Sequence, residues 1–212
     1  MSADTWSQFD YFPSSVYILE KPEFLKSVNK ISDQYLSKAQ NDVNDIYPVK
    51  MTDNYMNEES ISDFSSYVLN TAWNILKSQG YAMDNYTTHF SEMWTQEHGK
   101  VSGMEQHVHG FGSQLSAFYF LECPKDCSRV VIHDPRPGKV MSSLPEENMT
   151  LATPASLMVN FEPKPGMLWF ANSYIPHSFT RNQSDDPIVF VHMNIFVNPK
   201  QNVCMTNQAE VV

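Results

Sequence analysis

Two imidazoles stand one residue apart in the stretch EQHVHGFGSQLSAFYFLECP, residues 105–124. In an extended segment side chains i and i+2 share a face, roughly 7 Å apart at the backbone, so His107 and His109 can aim at one point. That is a chelating geometry. Taken alone, an HxH pair is more often two surface histidines flanking a loop. A third histidine arrives in a particular setting, PKPGMLWFANSYIPHSFTRN. There Pro165 and Gly166 make a tight turn, residues 167–171 form a buried strand, and Tyr174, Ile175 and Pro176 bring the chain round to His177. Two ligands from one strand end and one from a later strand occupy one face of an octahedral metal and leave three positions open. Glu105 shares the alternating face of His107 and His109, so a carboxylate is also in reach. The third ligand is therefore His109 or Glu105.

Such ligands need a rigid frame, and the chain has the length for one. Its 212 residues suffice for one domain with a sizeable core, or for a domain with a helical appendage. Pro22 suits the first turn of a helix in which Phe24, Val28, Ile31 and Tyr35 recur at helical spacing and which frays over residues 37–41. A second helix is predicted over residues 62–79, with Ile61, Phe64, Val68, Thr71 and Ile75 on one stripe and Gly80 as its stop. Both stripes read as core-facing surfaces. Between them, NDVNDIYPVKMTDNYMNEES reads as a long polar loop. From about residue 86 the pattern changes to short aromatic and β-branched runs: THFSEMWTQE, QLSAFYFLE, RVVIHD, SLMVNFE, GMLWFA and PIVFVHMNIFV. Turn residues separate them, with no useful helical pattern between. This predicts a mostly β protein, a sandwich or barrel, supported by an N-terminal helical layer. The expected divisions are a helical support region (residues 1–85), a β core (86–200) and a C-terminal tail (201–212).

The composition narrows the partners. A net charge of −10, from 14 basic and 24 acidic residues, and the lack of a Lys/Arg cluster argue against a nucleic-acid backbone as partner. No apolar run is long enough to span a membrane, and the start MSADTWSQFDYF lacks the basic and apolar regions of a secretory signal. A cytoplasmic setting is the expectation. There the odd set Cys123, Cys127 and Cys204 reads as reduced thiols, and the Cys123/Cys127 spacing lacks the second pair of a structural zinc site.

The ordered set of phrases resembles the iron(II)- and 2-oxoglutarate-dependent oxygenase superfamily, in particular a bacterial and phage branch of prolyl-hydroxylase-like oxygenases. The elements carrying the likeness are His107-Val108-His109, the strand Ser116-Ala117-Phe118-Tyr119-Phe120-Leu121, the turn Asp134-Pro135-Arg136, the phrase Pro165-Gly166-Met167-Leu168-Trp169-Phe170, and His177. They span roughly residues 86–197. The resemblance implies a double-stranded β-helix, the jelly-roll core also found in cupins. It implies Fe(II) held by His107, His109 and His177, with 2-oxoglutarate as co-substrate and O2 as oxidant. It also implies a hydroxylase that releases succinate and carbon dioxide from a small-molecule, peptide or protein substrate. Phe118, Tyr119, Phe120 and Trp169 would then suit the walls of the site, with Tyr119 toward the co-substrate; ordinary barrel core is the plainer role for each.

Two departures shape the alternatives. The family's usual face is two histidines and one carboxylate, whereas His109 stands at the carboxylate position; an all-histidine face is the cupin pattern. Relatives also set an arginine on the strand after the last histidine, where its fork grips the distal carboxylate of 2-oxoglutarate. Ile188 stands there in this chain, whose three arginines are Arg129, Arg136 and Arg181. Arg181, four residues past His177, is the first substitute and Arg136 the second. His192 reads as an inward polar wall residue, more simply a satisfied core histidine than a ligand, and His89, His98 and His133 have no strong claim. Three functions follow: a 2-oxoglutarate-dependent dioxygenase, a three-histidine cupin-type dioxygenase that needs no 2-oxo acid, or a non-catalytic β-barrel binding module.

Overall fold

The computed structural model describes residues 6–39, 43–44, 47–142 and 144–200. The expected tail (201–212) and Cys204 lie outside them. Among the described residues eleven strands and three α-helices follow in the order β1 (Val16–Glu20), α1 (Leu25–Leu36), β2 (Val43–Asn44), β3 (Tyr47–Met51), α2 (Ser62–Ser78), β4 (Tyr86–His98), β5 (Met104–His107), β6 (Leu115–Glu122), β7 (Val130–His133), α3 (Pro137–Met141), β8 (Met158–Phe161), β9 (Met167–Asn172), β10 (His177–Phe179) and β11 (Ile188–Pro199). Seven form one sheet in the order β1-β9-β6-β11-β4-β3-β2, and four form a smaller sheet, β5-β10-β7-β8. Every pairing is antiparallel. From β4 to β11 the chain passes repeatedly between the two facing sheets, which makes a double-stranded β-helix, so the fold is mostly β with an N-terminal pair of helices.

The helical stripes do what their spacing predicts. Val28 and Ile31 of α1, and Phe64, Val68, Ala72, Ile75 and Leu76 of α2, are buried against Met93, Leu115, Ala117, Tyr119, Leu168, Phe170, Val191 and Met193 of the large sheet. Full burial of such side chains stabilises by roughly 1.5–3 kcal/mol each. Gly80, at φ 97°, ends the second helix in the left-handed region that glycine adopts without strain.

The first 85 residues are not only helical. β1 pairs with β9, and β3 pairs with β4, so this region extends the large sheet at both edges. The segment expected to be a loop contributes β2 and β3, and its Tyr55 is buried, with its hydroxyl 2.6 Å from Thr95 Oγ1.

Strand alternation divides the large sheet into two faces. On β4, Met93 and Thr95 look toward the helices, Thr95 hydrogen-bonding Ser32 of α1, while His98 packs its ring on Phe179 of the small sheet. On β6, Ala117 and Tyr119 look outward to the helices and Phe118 and Phe120 inward. The interior between the sheets is filled by Phe118, Phe120, Trp169, Ile175, Phe179, Ile188 and Phe190. The candidate ligands sit at one rim of this packed interior.

Candidate metal centre

β5 ends on His107 and β10 begins on His177, and the antiparallel register sets the two residues opposite each other. His109 lies two residues beyond β5 in a loop tied down by its own backbone N–H, which donates to Ser173 O at 2.9 Å. Ring centroids are 4.6 Å apart for His107 and His177, and 5.1 Å for His109 with each of the other two. One nitrogen from each ring falls within 4.8 Å of the others. A surface pair flanking a loop would show no such convergence.

The tautomers are set by the backbone. His107 Nδ1 donates to Glu105 O at 2.7 Å and His177 Nδ1 to Ile175 O at 3.0 Å, which leaves Nε2 of each neutral ring as a lone pair. Metal-binding histidines are commonly oriented by such a second hydrogen bond. His109 Nε2 lies 3.2 Å from His177 Nε2. Two imidazole nitrogens at right angles on one ion, each about 2.1 Å from it, lie about 3.0 Å apart. The donor set therefore fits a first-row divalent cation.

Burial keeps His109 and His177 neutral. Desolvation, with a smaller repulsion from His107, holds His109 down at about 4, although the Asn194 carboxamide acts the other way. Desolvation likewise pushes His177 down to about 3, against the raising effect of its bond to Ile175. A neutral imidazole is the form that binds metal.

Around the triad lie Phe118, 5.4 Å from the His177 ring, Trp169 at 5.8 Å, and a fourth imidazole, His192, 4.6 Å from His109 and nearly perpendicular to it. A cleft of about 400 Å³ opens beside His109, lined by Glu92, Val108, Phe111, Asn194 and Phe196 among others. Across it Asn194 Nδ2 donates to Glu92 Oε2 at 3.1 Å. A larger groove of about 550 Å³, between residues 9–14 and the turn at Asp134, contains none of the three histidines.

Residues 92–194 match the family described as "Putative 2OG-Fe(II) oxygenase", and all three converging histidines fall inside that span. Over these residues the chain matches the 2OG-Fe(II) oxygenase family. No curated protein shows significant sequence similarity to the chain. Solved structures show its fold again. A prolyl-4-hydroxylase from Pseudomonas putida matches with a TM-score of 0.57 at 8% identity, over 85% of this chain and 92% of that one. The non-heme alpha ketoglutarate dependent epimerase SnoN of nogalamycin biosynthesis matches with a TM-score of 0.62 at 11% identity, over 88% and 79%. A prolyl hydroxylase from Trichoplax adhaerens, bound to a hypoxia inducible factor peptide, matches at 0.53 and 15% identity, over 84% and 83%.

The other expected site residues fall elsewhere. Glu105 shares β5 with His107, yet its carboxylate is outside the converging group. Tyr119 faces the helices: its ring packs 4.9 Å from Phe64 and its hydroxyl donates to Lys21 O at 2.7 Å, because alternation turns it away from the face shared by Phe118 and Phe120. Arg136 closes its fork on Asp134, at 2.9 Å and 2.7 Å, within the exposed turn. Arg181 is exposed and donates from Nη1 to Val101 O at 3.1 Å. Glu92, Gln96 and Asn194 were not among the expected site residues. The alternation Glu92, Trp94, Gln96, His98 along β4 was the available signal, since it places four polar or amphipathic side chains in a row on the face away from Met93 and Thr95.

Proposed function

We propose that the protein is an iron(II)- and 2-oxoglutarate-dependent dioxygenase that hydroxylates its substrate with release of succinate and carbon dioxide. The observation carrying this reading is the convergence of His107, His109 and His177 at the rim of the β-helix, within the family-matching segment. Three imidazole nitrogens on one face would hold Fe(II) and leave the opposite face for small ligands. A 2-oxo acid and iron bound there would supply the oxygen-activating chemistry. The protein's own part is to orient and to exclude water. Backbone carbonyls of Glu105 and Ile175 fix two of the rings, and Phe118 and Trp169 keep the inner side apolar. A related SnoN structure contains Fe3+ and alpha ketoglutarate, which supports the same pair of groups for this chain. The cleft beside His109 suits a peptide or a neutral metabolite, its Glu92 and Asn194 paired between apolar Val108, Phe111 and Phe196.

The test is succinate formation with iron(II), 2-oxoglutarate and a panel of peptides and metabolites, with product mass as second readout. A hydroxylase yields a product one oxygen atom heavier, whereas an epimerase leaves the mass unchanged. Succinate absent throughout, with metal bound, would sink the reading. It would favour a three-histidine dioxygenase that uses no 2-oxo acid. One observation supports that second reading: no lysine or arginine is buried among the described residues, and Ile188 occupies the expected arginine position.

A further inference from the structure

A polar row crosses the otherwise apolar interior. His98 Nε2 donates to Gln96 Oε1 at 2.9 Å, and Gln96 Nε2 reaches His192 Nδ1 at 3.4 Å. All three side chains are buried, at 0%, 3% and 3% exposure. With its Nδ1 accepting from Gln96, a neutral His192 carries its proton on Nε2. That Nε2 has no hydrogen-bond partner. The His109 ring stands 4.6 Å from the His192 ring and nearly perpendicular to it. The Asn194 carboxamide is close enough to favour proton retention on both rings, but neither its Oδ1 nor His192 Nε2 completes a hydrogen bond. The ring is otherwise wedged between Trp94 at 4.1 Å and Phe118 at 4.9 Å, so it has little freedom to turn away.

An unsatisfied buried donor costs about 1–3 kcal/mol, and a ligand that brings an acceptor to it recovers that cost. The ligand must bring an acceptor to a donor buried beside the three-histidine group. A carboxylate is the strongest ordinary acceptor for such a donor. We propose that His192, held in one tautomer by the Gln96–His98 row, donates from Nε2 to the carboxylate of a 2-oxo acid bound at the three-histidine face. It thereby positions that acid in a barrel whose interior offers no arginine. This rests on the functional reading above. His192 acts as a neutral donor throughout and is not a fourth metal ligand.

Calorimetric titration of the manganese(II)-loaded protein with 2-oxoglutarate, without iron and under exclusion of oxygen, tests it by binding alone. His192→Phe is expected to bind manganese within about twofold of the parent and 2-oxoglutarate about 10- to 100-fold more weakly, the loss of one hydrogen bond to a charged acceptor. His192→Gln, which returns an amide N–H near the Nε2 position, is expected to recover most of that loss. Gln96→Leu, remote from the metal, is expected to fall between parent and His192→Phe. The inference is overturned if His192→Phe binds 2-oxoglutarate as the parent does, if it loses manganese in parallel, or if His192→Gln recovers nothing. Should His192→Phe fail to fold, equal 2-oxoglutarate affinity in Gln96→Leu and the parent overturns it. A parent that binds manganese but no 2-oxoglutarate removes the functional reading itself and this inference with it, an outcome distinct from the others.

Discussion

His107 and His177 are 70 residues apart in sequence and directly opposite each other in the β5–β10 register, their ring centroids 4.6 Å apart. The sheet, not a flexible loop, sets their spacing, so the two rings are held for a metal before one arrives. His107→Ala and His177→Leu are each expected to weaken manganese or iron binding by more than roughly 100-fold, above the range typical for outer-shell changes. Leucine at position 177 keeps most of the buried volume and separates ligand loss from cavity formation. Metal content after dialysis is the measurement; full occupancy in either variant would remove that residue from the ligand set.

The third position separates histidine from carboxylate. His109 Nε2 already sits 3.2 Å from His177 Nε2, whereas the Glu105 carboxylate lies outside the converging group. His109→Asp is expected to keep ferrous binding, since a carboxylate from the same backbone position gives the family's usual face and lowers the site's charge by one. His109→Ala is expected to lose it, and Glu105→Ala to leave it within about threefold, the effect of an exposed side chain outside the ligand shell. The opposite ranking, with Glu105→Ala the defective variant, would make the carboxylate the ligand.

How far the sequence alone reached depended on the length of the pairing signal. β4, β6, β7, β8, β9 and β11 and the helices α1 and α2 announce themselves because each lies in its own aromatic, β-branched or helically spaced run. β1, β3, β5 and β10 are five residues or fewer and owe their state to partners far along the chain, so no local pattern marks them. The metal face was legible because its residue types are rare and its spacing is local on one side. Tyr119 was misplaced because three consecutive aromatics were read as one wall, although successive side chains on a strand face opposite ways. The His98–Gln96–His192 row required the β4–β11 register, which joins residues 96 positions apart.

The arginine expectation changes with the structure. Arg136 spends its fork on Asp134 and Arg181 is exposed with a bond to Val101 O, so neither side chain lines the interior between Phe118 and Phe190. Arg181→Lys and Arg136→Lys are each expected to leave 2-oxoglutarate affinity within about threefold, in keeping with the small energies of exposed charges. A tenfold or greater loss in either variant would restore that arginine as the receiver of the distal carboxylate.

Acid should destabilise the metal-free protein earlier than its carboxylates alone would dictate. Burial holds His98 down to about 4, while in the unfolded chain it titrates near its ordinary 6.5. Above pH 6.5 neither state binds the proton and the residue has no effect on stability. As pH falls below 6.5 the unfolded state binds it first, so stability is lost progressively until the folded pKa near 4 is reached. By pH 5 this amounts to about 2 kcal/mol from His98 alone. His177, His109 and His192 are depressed by the same desolvation and act in the same direction. Denaturant midpoints of the metal-free protein should therefore drop steeply between pH 7 and 5. His98→Gln, which cannot titrate, should flatten that drop by about the amount assigned to His98, whatever it does to stability at pH 7. An unchanged slope in His98→Gln would mean that the ring is not buried neutral in the folded protein.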